Sequence, residues 1–131
     1  MAEDDLTKLI SEMSPTVRAE TFVFATLPVG VPLPECEVLM TFREAEGVTL
    51  IVEQSAALSA RLAHDFPCRM ITLNVHSALD AVGFLAAVTN RLAGLGMGVN
   101  PVSGYFHDHL FIPEDRAEEA LAELKRMAAE A

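Results

Sequence analysis

Two short stretches hold the residues whose types and spacing are worth weighing first. One is His76-Ser77-Ala78-Leu79-Asp80-Ala81-Val82-Gly83, where an extended run gives way to a helical one. A strand-to-helix junction points backbone N–H groups and the positive end of a helix at whatever occupies it. Gly83 lacks a Cβ, so a solute can approach the main chain at the helix start. Such a bend suits a small anionic or zwitterionic ligand. Asp80 would face the ligand's cationic group, with Asn74 and His76 as hydrogen-bonding groups at the same sheet end. Ser77 and Asp80 also have capping-box spacing, so Asp80 can instead close the helix.

The other stretch is His107-Asp108-His109. Histidines two apart on a strand share a face, and with His76 they offer three nitrogen ligands for zinc. The alternative is a tight turn, with Asp108 as the turn residue and the histidines partly solvated. No cysteine or further carboxylate has metal-ligand spacing. Tyr105, the single tyrosine, can stack on or hydrogen-bond a ligand, or pack at an interface. Asn100 can meet a ligand from a neighbouring subunit or satisfy a strand-edge backbone group.

Catalytic sets are harder to find. Ser77 and Ser103 lack a G-x-S-x-G context, and Cys68 has no assured histidine partner. Gly94, Gly96 and Gly98 follow a helical pattern instead of opening one, so they are no dinucleotide fingerprint.

The elements that must position these residues read as follows. Asp4 or Asp5 caps a helix carrying Leu6, Leu9, Ile10 and Met13, and Ser14-Pro15 stops it. Thr21 to Leu27 is apolar on both faces, which predicts an interior strand. Pro28, Pro32 and Pro34 make the next segment a loop. Val38 to Arg43 and Val48 to Glu53 predict a hairpin closed by Gly47. Ser55 should cap a short helix ending near Asp65-Phe66-Pro67. Met70 to Val75 predicts a strand with Ile71, Leu73 and Val75 on its covered face. Val82, Leu85, Val88, Leu92 and Leu95 form a helical stripe ended by glycines. Val99 to Phe106 and His109 to Ile112 predict two strands, the former an edge because of Pro101. From Pro113 a last helix carries Ala117, Ala120, Leu121, Leu124 and Ala128 on one face.

Composition narrows the classes. The chain has 131 residues, enough for one average domain or two small ones sharing a core. Its nine basic residues are scattered and its net charge is −10, which argues against nucleic acid and against an anionic membrane surface. The acidic start carries no signal-peptide pattern, and Cys36 and Cys68 read as reduced thiols. The expectation is a cytoplasmic protein.

Residues 70–127 resemble an ACT domain, a small ligand-binding module of βαββαβ, ferredoxin-like order. The resemblance rests on Asp80-Ala81-Val82-Gly83-Phe84-Leu85 and on Gly98-Val99-Asn100. Val82 stands where the family has proline. The runs 71–84 and 104–113, with Met13-Ser14-Pro15-Thr16 and Glu46-Gly47, are similar to short bacterial proteins made of two fused ACT-like units. The resemblance implies α+β architecture: two tandem ferredoxin-like ACT domains, 1–66 and 67–131, incomplete units exchanging a strand, with helices on one face of antiparallel sheets. The last unit ends in a helix, so a fourth strand must come from the N-terminal half, with Thr21 to Leu27 the expected donor.

The resemblance also implies a non-enzymatic regulatory module that binds a small effector, usually an amino acid, and assembles as a homodimer or larger. The expected ligand-binding residues are Asn74, His76, Ser77, Asp80, Val82, Gly83, Asn100 and Tyr105, with no cofactor and no resident metal. Two other readings stay open: a metal-binding protein or metal-dependent enzyme built on His76, His107 and His109, and a dimerisation module without ligand.

Overall fold

The computed structural model describes residues 2–131. In chain order the elements are α1 (Leu6–Glu12), β1 (Thr16–Val17), β2 (Phe22–Leu27), β3 (Met40–Arg43), β4 (Val48–Glu53), α2 (Gln54–Ser59) and β5 (Ala63–Thr72). There follow α3 (Phe84–Ala93), β6 (Asn100–Ser103), β7 (Asp108–Pro113), a 3-10 turn (Glu114–Arg116) and α4 (Ala117–Glu130). The chain divides into two compact units, Glu20–Cys68 and the residues up to Ala19 together with Arg69–Ala131.

The unit of residues 20–68 orders its strands β3-β4-β2-β5. β2 lies antiparallel between β4 and β5, so both its edges are paired; Val23 and Ala25 are buried on one face, while on the other Phe22 is buried, Phe24 half-buried and Thr26 exposed. α2 packs its buried Ala57 with Val23, Ala25, Leu50 and Val52 to make a small core. A ferredoxin-like unit has a helix between its first two strands. Here the proline-rich segment 28–39 stands in that place and forms none.

Two local details differ from the sequence expectation. α2 ends at Ser59, and Ser55 lies inside it; the N-cap is Glu53, with no side-chain cap. The amide of Gln54 is met by the Thr21 carbonyl at 2.9 Å, so no cap is needed there. β5 then starts at Ala63, well before Met70. Asp65-Phe66-Pro67, which looks like a break, sits within the strand because Phe66 takes a left-handed φ of 66°. The β2–β5 register slips at that point, a bulge that accommodates the proline.

The other unit orders its strands β1-β5-β7-β6, using the second half of β5. Its core joins Leu9 and Met13 of α1 to Ile71 and Leu73, to Val88 and Leu92 of α3, to Leu110 and Ile112 of β7, and to Leu124 of α4. Asp5 caps α1, accepting from the Lys8 amide at 2.9 Å. Arg91 on α3 donates to Glu123 on α4 at 2.6 Å, which ties the two helices together.

The missing fourth strand does come from the N-terminal part of the chain, but its donor is β1 and not Thr21 to Leu27. Thr16 lies opposite Thr72 and Val17 opposite Ile71. Asn74 anchors this short strand: its side-chain amide donates to the Ser14 carbonyl at 2.9 Å and to Thr16 Oγ1 at 2.8 Å. The Thr21–Leu27 run is central in its own unit, with both edges already paired, so it has none free to lend.

Candidate functional site

The bend between β5 and α3 is built from several short-range constraints. Asn74 adopts φ 53°, which ends the strand and turns the chain toward the helices. The Ser77 amide donates to Val75 O, and the Ala81 amide to Ala78 O, folding the segment on itself. Glu3 bonds it from one side: its amide meets His76 O and its carbonyl accepts from Ala78, each at 2.8 Å. Gly83 is the N-cap of α3 with φ 94°, a conformation that L-residues with a Cβ rarely adopt.

Because the cap is glycine, no side chain closes α3. Its first-turn residues Phe84, Leu85 and Ala86 line a cavity of about 150 Å³ with Ser77, Ala78, Gly83, Ser103 and Asp108. Helix-start amides and the positive dipole end therefore meet polar groups from the bend and from β6 and β7. Asp108 is 5% exposed, and its Oδ2 accepts a hydrogen bond from the Ser77 hydroxyl at 2.9 Å. Asp108 opens β7 opposite Ser103 of β6. It is a strand residue, and the turn between the two strands is 104–107.

The expected site residues divide into groups. Ser77 and Gly83 line the cavity. His76 and Tyr105 line a neighbouring groove that also includes Ser77, Ala78 and Leu79. The His76 ring rests on Phe106 with centroids 5.7 Å apart, and Phe106 meets Tyr105 edge-on at 5.0 Å. Asp80 and Val82 are exposed and line neither space, and Asp80 caps no helix. Asn74 directs its amide to Ser14 and Thr16, and Asn100 lies exposed on β6. Asp108 and Ser103 complete the cavity with the first turn of α3, and neither of these two side chains stood out as a ligand group in the sequence. The one available signal was an acidic residue directly before an apolar strand, Leu110-Phe111-Ile112.

The three histidines take separate roles. His109 Nδ1 lies 2.9 Å from Thr72 Oγ1, His76 stacks on Phe106, and His107 Nδ1 is buried without a hydrogen-bond partner. Burial holds His109 below the ordinary histidine value of 6.5; neighbouring His107 pushes the same way and Asp108 opposes. Among the described residues no three His, Cys, Asp or Glu side chains gather in a metal-binding group. Nor is any helix long and apolar enough to cross a membrane.

A ferredoxin-like unit with a ligand-sized cavity at its first strand-to-helix turn defines an ACT-type module. The chain belongs to the ACT-domain family: one ACT-domain profile matches residues 1–69 and another residues 65–126. Among solved structures it is similar to a Vibrio cholerae protein of unknown function described as a possible transport protein. The two are 39% identical over 94% of this chain and 95% of the other, with a TM-score of 0.84. An Agrobacterium tumefaciens protein shares the fold at 18% identity and TM-score 0.69, over 83% of this chain and 84% of that one. So does the regulatory subunit of aspartate kinase from Thermus thermophilus, at 10% identity and TM-score 0.61, over 88% and 97% respectively. Comparison with curated proteins finds no match.

Proposed function

We propose that this protein is a non-catalytic regulatory module that binds a small amino-acid-like effector in the cavity between the 77–83 bend and the start of α3. ACT domains are regulatory ligand-binding modules, and the fold is shared with a regulatory subunit of aspartate kinase. The observation that carries the reading is the uncapped α3 N-terminus facing a cavity beside Gly83. The α3 amides would hold a carboxylate. A cavity near 150 Å³ takes a benzene-sized guest, so the effector is small. The open sides of β3 and β6, at the ends of the strand order, are edges on which a second copy would pair, making a homodimer or larger.

Thermal unfolding in the presence of each of the twenty amino acids tests this. A ligand at a hundred times its dissociation constant stabilises by about 2.7 kcal/mol. For a chain this size that corresponds to a rise in Tm on the order of 10 °C. A flat response to the whole set would overturn the effector reading in favour of an empty structural module.

A further inference from the structure

The cavity holds one charge that the helix-start argument does not use. Asp108 is a carboxylate with only 5% exposure, and the hydrogen bond it receives comes from a neutral hydroxyl, Ser77. Among the described residues no lysine, arginine or histidine forms an ion pair with it, and no amide of α3 donates to it. Buried carboxylates are ordinarily paired, because removing an anion from water without a counter-charge is costly. Asp108 lines the same cavity as the α3 start, so one small space holds an anion-binding helix end and a carboxylate side chain without an ion-pair partner.

We infer that Asp108 is the specificity-determining residue of this site, taking the ammonium of a ligand whose carboxylate lies on the α3 amides. The inference rests on the effector reading above and sharpens it. The site selects α-amino acids and rejects 2-hydroxy acids of the same side chain. Ser77 is the positioning residue: its hydroxyl holds Oδ2, which leaves the other oxygen to accept from the ligand. A hydroxy acid would supply the carboxylate but leave the buried Asp108 without a cation, and sites built around a specific polar partner reject analogues lacking it strongly.

Calorimetric titration decides the matter with matched probes: L-alanine against L-lactate, L-serine against D- and L-glycerate, L-aspartate against L-malate. The expected result is amino-acid binding on the order of a hundredfold tighter than that of the matched hydroxy acid. Asp108→Asn should abolish this preference and Ser77→Ala, which takes the donor from Oδ2, should reduce it, while Val29→Ala in the exposed proline segment should retain it. The comparison on the unaltered protein stands even if a variant fails to fold. Equal affinity for the two series, or a preference undiminished in Asp108→Asn, overturns the role of Asp108 while leaving the cavity a ligand site. Silence from both series removes the effector reading and this inference with it.

Discussion

The two units solve the same connection differently. After its first strand, the unit of residues 20–68 runs through Pro28, Pro32 and Pro34 and forms no helix, with Val29, Val31 and Leu33 exposed. The other unit follows its first strand with a bend, a glycine cap and the ten-residue α3. Without a helix there is no cluster of unpaired amides and no dipole end to attract an anion. The repeat therefore explains the fold of both units, but the ligand argument applies to one. On the proposed reading a glycine-capped helix, rather than the ferredoxin-like order itself, is what distinguishes the ligand-binding unit.

Substitutions on the two connections should separate them. Leu92→Ala, fully buried on α3, is expected to cost about 2–5 kcal/mol in urea unfolding, whereas Val29→Ala in the proline segment should stay within about 0.5 kcal/mol. A large cost at Val29 would mean that this connection is packed as tightly as α3, and the contrast would fail.

A subtler contrast uses two left-handed glycines, Gly83 at φ 94° and Gly30 at φ 87°. A Cβ at Gly30 would meet nothing within 4 Å, and at Gly83 only the Leu6 side chain at 3.6 Å, so backbone strain dominates both changes. Each Gly→Ala should cost about 1 kcal/mol. Only Gly83→Ala should also weaken the thermal response to amino acids.

The smallest effect concerns pH. His109 is depressed in the folded protein, chiefly by burial, so the unfolded chain binds its proton more readily. Stability from this group is complete above the ordinary value of 6.5 and declines as pH falls from there through the lower folded value. His109→Gln should flatten that slope in urea titrations on either side of pH 6.5, and an unchanged slope would assign the dependence to other groups.

Much of this architecture can be read along the chain because it depends on neighbours. Leu85, Val88 and Leu92 announce α3 by their spacing, Pro15 ends α1, and the proline segment rules out a strand. What escaped depends on distant partners. β1 is two residues long and has no periodicity to read; it exists because Asn74 and β5 hold it. Asn74 reads as a ligand group until Ser14 and Thr16, about sixty positions away, take its amide. Asp108 reads as a turn residue because burial of an acid is decided by β6 and the 77–83 bend, not by its neighbours in sequence. β5 was obscured by Pro67, which a left-handed Phe66 makes compatible with pairing.

The strand that closes the unit containing α3, β1, precedes the other unit in the chain, and α4, which packs beside it, follows that unit. β1 must wait until α4 has been made before the two can pack, a long loop closure that slows folding. Excising 67–131 alone would yield a sheet with a raw edge on β5 and a core short of Leu9 and Met13. Residues 69–131 with 2–19 transferred behind Ala131 keep every element of this half in one chain.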